Sequence, residues 1–281
     1  MRMALPRLLR MVGLVAVTSN AFAMSGTVRA ASAPEAWALW DEQAPSNGAV
    51  VDHSSWQQFL EQYVVVYPDG VNRLAYKSVT PADRQLLNDY IGMLSTIDPR
   101  AYRKAEQLPY WINLYNAATV RVVLGRPMKG SILRMGRGYF SSGPWDDEVV
   151  TVAGQPMTLN DIEHRVLRPI FRDYRIHYAV NCASFSCPNL VRQAYTRANA
   201  EQLLADNEIR YINHDRGMHI DSRGRLVLSR LYEWYAEDFA ADTPGLLAYL
   251  SSRHTSFGLE LKNYTDRVKY SYDWSLNGVQ D

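Results

Sequence analysis

The chain has 281 residues, 47% hydrophobic and 21% charged, which excludes a disordered or collagen-like polymer. A chain this long buries roughly 70–75% of its unfolded surface, so it can fold without disulfides. Lys+Arg 30 against Asp+Glu 29 leave a formal charge of +1, so no global basic field argues for nucleic acid or an acidic membrane surface.

Residues 1–23 read as an export signal. Arg2, Arg7 and Arg10 form a basic start, an apolar stretch follows from Met11, and Ala21-Phe22-Ala23 matches the A-x-A cleavage pattern. The apolar run is too short to span a bilayer, and no later segment approaches 18 apolar residues. No Cys follows the leader, which argues against a lipid anchor. Loss of its three arginines takes the charge to −2. The expected location is therefore periplasmic or secreted, with no membrane span once the leader is removed.

Residues 24–49 read as a mobile lead-in, and residues 50–281 as a single mostly helical α+β domain with a small antiparallel sheet. Ser54-Ser55-Trp56 opens a helix with Phe59, Tyr63 and Val64 at helical spacing. Gly70–Tyr76 reads as an extended connection. Thr80-Pro81-Ala82-Asp83 is a helix start with Pro at its first position and an acid in the capping-box place. Leu108–Leu124 is helical by its apolar content. Ser131–Trp145, with Gly136, Gly138 and Gly143, reads as a loop. Val149–Val152 reads as a strand entering a turn, and Thr158-Leu159-Asn160-Asp161 as a capping box opening a further helix. Arg175–Asn181 alternates and predicts a strand. A helix over 198–213, a hairpin of Met218–Ile220 with Leu226–Leu228, and helices from Ser229 and Thr243 complete the chain.

The two cysteines lie together in Asn181-Cys182-Ala183-Ser184-Phe185-Ser186-Cys187-Pro188. Export favours a Cys182–Cys187 disulfide, which a turn permits and a helix forbids. A loop this short gains little closure entropy from it. The sharper reading makes Cys182 a nucleophile at a strand-to-helix junction, its pKa lowered by the helix N-terminal field. Such a thiolate wants an imidazole and a group that orients it. His177, five residues earlier, reaches Cys182 only if the chain turns at Asn181, because an odd offset on a straight strand faces away. His164 is the other candidate. Glu163 suits a partner on another element, such as His177, better than its neighbour His164. A zinc site of Cys182, Cys187, His177 and His164 lacks the usual ligand spacing, so no metal and no cofactor are expected. Asn113 and Asn116 share one helix face within Trp111–Asn116, where asparagine is unfavourable. They either fix the core by hydrogen bonds or orient a substrate or the cysteine loop. Trp111, Asn113, Asn116 and Asn181 are thus the candidate substrate-binding residues.

The stretches LPYWINLYNAATV, MTLNDIEHRVLRPIF, IHYAVNCASFSCPNL, LSRLYEWYAEDF and YDWSLN resemble, in order, the family called domain of unknown function 547, found in bacteria and plants. The resemblance covers about Leu108 to Asn277. It implies a Glu-His-Cys set like that of papain-like or transglutaminase-like cysteine enzymes, placed on Glu163, His177 and Cys182, with His164 in the same element. His before Cys implies a circularly permuted core, and Pro188 leaves room for only a turn and a half of helix after Cys182. The expected activity is that of an exported thiol-dependent hydrolase or acyl/thiol transferase. Its partner would be a small peptide-like or thiol ligand of the glutathione kind, its oxyanion held by backbone N–H groups after Cys182. The alternative is a non-catalytic periplasmic binding or scaffold protein whose Cys182–Cys187 bridge shapes a recognition loop. The sequence does not specify an oligomeric state.

Overall fold

Helices and three small sheets alternate along the chain in an α+β arrangement. The computed structural model describes residues 35–44, 48–136, 143–256, 258, 261 and 263–279. The leader, much of the lead-in and Gly138 lie outside them.

Helix α1 (Ser54–Tyr63) buries Trp56, Phe59, Leu60 and Tyr63, the face that its spacing predicts. Strand β1 (Val64–Val66), which takes Val64 off the expected helix, pairs antiparallel with β2 (Asn72–Leu74) of the extended connection. Helix α2 (Pro81–Thr96) starts as expected: the Thr80 side chain accepts from the Asp83 amide, and Pro81 sits where no N–H is needed. Helix α3 (Lys104–Leu124) begins four residues before the expected Leu108, so Pro109 lies inside it. Pro109 lies past the first turn, so the Ala105 carbonyl loses its ladder hydrogen bond. From Tyr110 to Val120 every residue of α3 is buried, because α3 packs on both α2 and the segment after Thr158.

The turn between β3 (Glu148–Val152) and β4 (Gln155–Thr158) is Ala153-Gly154, both at positive φ, as a two-residue hairpin requires. The capping box forms reciprocally: Asp161 N donates to Thr158 Oγ1 at 2.9 Å, and Thr158 N donates to Asp161 Oδ2 at 3.0 Å. The helix it opens, Asp161–Phe171, is wound as a π-helix, a form often found at functional sites.

The strand expected over Arg175–Asn181 is instead a 3₁₀-helix, Tyr174–Tyr178. Asp173 caps it, accepting from the Arg175 amide at 2.9 Å. Ile176, His177 and Tyr178 are buried in succession, which a half-buried strand cannot do. No helix follows Cys182 directly; a loop runs from Asn181 to helix α4 (Ala200–Ile212).

The expected antiparallel hairpin β5 (Met218–Ile220) and β6 (Leu226–Ser229) gains a parallel partner, β7 (Lys269–Ser271), so the largest sheet is mixed. Short helices α5 (Leu231–Trp234) and α6 (Ala236–Phe239) precede α7 (Thr243–Ser251). One apolar cluster gathers around α1–α3 and the π-helix; a second gathers around Tyr178, Tyr211, Leu228, Tyr232 and Leu250.

Candidate active site

A cavity of about 230 Å³ takes lining residues from both clusters, including Tyr115 and Val180 of the first and Leu231 of the second. Its polar lining is Glu163, His164, Asn160 and the two cysteines. The rest is largely aromatic: Tyr115, Trp145, Trp234, Tyr235, Tyr272 and Trp274.

The cysteine loop is held by side chains that the sequence singles out. Asn116 Nδ2 donates to Ala179 O at 2.9 Å, and its Oδ1 accepts from Asn181 N at 2.8 Å. Asn181 in turn accepts from Ala183 N at 2.9 Å and donates to Pro188 O at 2.7 Å, clasping both ends of the loop. Asn113 makes the same two-way clasp on the backbone of Tyr195, at 2.7 and 3.0 Å. Trp111 is fully buried against Trp40 and Tyr110. Trp111, Asn113, Asn116 and Asn181 therefore scaffold the loop and core, and none of them lines the cavity. Ala183 is buried at φ 62, a left-handed conformation costly for a residue with a Cβ. Such strain persists only where its surroundings impose it.

Cys182 is half-buried and free, as is the buried Cys187, so the bridge weighed from sequence is not formed in this structure. Around the Cys182 sulfur stand the Ser184 hydroxyl at 3.0 Å and the Tyr272 hydroxyl at 3.2 Å. Cys182 N donates to the Cys187 sulfur at 2.9 Å. Burial alone would raise the Cys182 pKa. Hydrogen bonds from Cys187, Ser184 and Tyr272 outweigh it and bring the thiol down to about 7. Cys187 moves the other way, pushed well up by burial and by its neighbour's sulfur. The lowered pKa therefore owes nothing to a helix N-terminus.

The backbone amides expected to hold an oxyanion are already engaged. Ala183 N goes to Asn181, Phe185 N to Ser275 O at 2.6 Å, Ser186 N to Asp273 O at 3.1 Å, and Cys187 N to Ser184 O at 3.1 Å. The Ser184 amide faces the sulfur itself.

Glu163 and His177 approach each other, with His177 Nδ1 3.9 Å from Glu163 Oε1. His177 is absent from the cavity lining: its ring is 1% exposed, stacks on Tyr235 at 4.0 Å, and donates from Nε2 to Asp238 Oδ2 at 2.6 Å. Both its nitrogens thus face carboxylates, and burial holds its pKa down. The role of base to Cys182 does not fit this placement. Asp238 also accepts from Arg168 at 2.6 and 3.1 Å, and the hydrogen bonds from His177 and Arg168 keep its carboxyl far below the usual range despite burial.

His164 shares the cavity with Cys182 and Glu163. Its Nδ1 lies 3.3 Å from Arg168 Nη1. Arginine only donates, so Nδ1 is the acceptor and a neutral ring carries its proton on Nε2. His164 is then a donor to whatever occupies the cavity. Burial raises the pKa of Glu163, but the His164 and His177 rings and the hydroxyls of Tyr235 and Tyr115 outweigh it, and the carboxylate stays ionised. Among the described residues no three His, Cys, Asp or Glu side chains converge as a metal site requires.

Tyr272 and Trp274 carried no role in the reading of the sequence beyond their place in YDWSLN. They reach the site because the segment after β7 pairs with the cysteine loop, through the Ser184–Leu276 bridge and Asn277 N to Ala183 O at 3.0 Å. The available signal is the alternation Tyr270, Tyr272, Trp274, which a strand places on one face. No curated protein and no solved structure matches the chain. A sequence profile described as "Protein of unknown function, DUF547" matches residues 99–212, which contain Glu163, His164, His177 and both cysteines, and over that segment the chain resembles this family.

Proposed function

We propose that the protein is an exported thiol-dependent enzyme, a hydrolase or an acyl or thiol transferase, with Cys182 as its nucleophile and a small peptide-like molecule as its substrate. The observation that carries this reading is the Cys182 sulfur, free on the wall of an aromatic cavity and surrounded by hydroxyl and thiol donors. Donors around a sulfur stabilise its anion, so ionisation needs no imidazole base.

In this reading the thiolate attacks a carbonyl carbon. The Tyr272 and Ser184 hydroxyls, released from the sulfur as its charge leaves, are placed to follow that charge. His164 Nε2–H supplies a proton to the leaving group, and Arg168 takes part by holding Nδ1. His177 holds Asp238, which in turn positions Arg168 on the π-helix. A glutathione-like thiol remains a fitting second substrate if the acyl group passes to sulfur rather than to water.

An activated ester tests the proposal. With p-nitrophenyl acetate, the Cys182 thiolate forms a thioester as the C–O bond breaks and p-nitrophenolate leaves. The expected result is one acetyl group on the Cys182 peptide and a burst of p-nitrophenolate, both absent in Cys182→Ala. An acetyl-free Cys182 in native protein that reacts only after unfolding would overturn it.

A further inference from the structure

The cavity walls are unbalanced in charge. Among the described lining residues there is no Lys or Arg, while Glu163 and Cys182 are both acids. Arg168 stands nearby but is committed to Asp238 and, at 3.4 Å, to Glu237. His177 behind Glu163 gives its one N–H to Asp238. Glu163 is 6% exposed; two imidazoles and the Tyr235 and Tyr115 hydroxyls serve its carboxylate, but no Lys or Arg among the described lining residues pairs with it, so a permanent cation in the cavity would find a favourable partner there. Six aromatic rings surround the same space, three of them in mutual contact: Trp234 with Tyr272 at 4.8 Å, Tyr272 with Trp274 at 4.6 Å, and Trp234 with Trp274 at 5.3 Å. Ring faces carry the negative end of the aromatic quadrupole and attract cations, and aromatic cages serve this purpose for alkylammonium groups. Aromatics alone would suit a sugar equally well; the buried carboxylate breaks the tie. The volume, about 230 Å³, lies below the roughly 300–1,000 Å³ of pockets for drug-sized ligands, so it suits one residue-sized group.

We infer that the cavity selects a substrate carrying an aliphatic ammonium group, the amino terminus or amine side chain of a peptide-like molecule, held against Glu163 and the aromatic faces beside Cys182. This rests on the proposed reading that Cys182 is the reacting group, and it adds the substrate's charge. A ligand with a carboxylate at this position is disfavoured twice, by Glu163 and by the thiolate.

The test uses three methanethiosulfonates on the native full chain, differing only in their tail: trimethylammonium, sulfonate or neutral methyl. In each, the thiolate attacks the sulfenyl sulfur, an S–S bond forms and methanesulfinate leaves. Rates are followed by mass on the Cys182 peptide at early times, before exchange with Cys187, and are divided by those of a small free thiol. The cationic reagent should be favoured over the anionic one by roughly tenfold or more beyond the free-thiol ratio, and added salt should reduce the preference. Glu163→Gln should abolish most of it. In case that variant does not fold, titration of unmodified protein with butylammonium should change tryptophan emission where butyrate does not. Reaction of Cys182 at the free-thiol ratio would overturn the inference and leave the thiol-enzyme reading standing. Failure of all three reagents at Cys182 would overturn both.

Discussion

Three side chains and the Ser184 amide act on one sulfur, and removal of a side chain should be measurable. Tyr272→Phe removes a hydroxyl 3.2 Å from the Cys182 sulfur. The midpoint of Cys182 alkylation should then rise from about 7 toward the ordinary thiol value of about 8.5, and the rate at neutral pH should fall several-fold. His177→Ala should leave that midpoint nearly in place, because both His177 nitrogens face carboxylates rather than sulfur. It should instead destabilise the fold by roughly 2–4 kcal/mol in urea, since Asp238 loses a buried hydrogen-bond partner and the Tyr235 ring its stacked neighbour. A large change in the midpoint with unchanged stability would mean that His177 acts on the thiol after all. Much of this was legible at the level of residue types. Glu163, His164 and Cys182 do line one cavity. What the sequence does not show is which of two histidines faces a cavity and which faces carboxylates, because Asp238 lies 61 residues beyond His177.

The element α3 carries the side chain that fixes the start of the cysteine loop. Two asparagines on one face of α3 signal a structural demand in the sequence itself, yet only the packing of α3 against the loop shows that they clasp backbone. Asn116→Ala leaves Asn181 N and Ala179 O without their partner. Each buried group so abandoned costs about 1–3 kcal/mol, so chemical denaturation should show a loss of about 2–6 kcal/mol. Ala183 makes a sharper test of strain. A β-branched residue tolerates its φ of 62 worse than alanine does, and the site is fully buried. Ala183→Val should cost more than about 2 kcal/mol, whereas a value near zero would show that the loop adapts freely. The mistaken strand at Arg175 has the same lesson. Alternation over seven residues resembles a strand, but the Asp173 cap and three successive buried side chains make a 3₁₀ turn, and that turn sets His177 against Asp238.

Across the whole molecule, stability should depend on pH through histidines buried without charge. His53 is held by burial at a pKa of about 4, with its Nδ1 2.7 Å from the Tyr90 hydroxyl. Between pH 6.5 and 4 the unfolded chain binds a proton at this residue that the folded chain refuses, so stability falls as pH falls through that window. The expected loss from His53 is about 3 kcal/mol, read from urea midpoints, and a His53→Gln variant should lose correspondingly less over the same range. The general α+β character was readable from caps, turns and periodicity, which are local. The parallel β6–β7 pair and the return of the C-terminal segment to the cysteine loop were not, because they join residues more than 40 positions apart. That return brings Tyr272 to the sulfur, so the reactive thiol is a property of the intact fold. The most direct measurement is therefore the rate of Cys182 carboxamidomethylation by iodoacetamide against pH, in native full-length protein with peptide mapping. The account predicts a profile with a midpoint at about 7, lost on unfolding. An unreactive Cys182, or a midpoint at the ordinary thiol value of about 8.5, would contradict it.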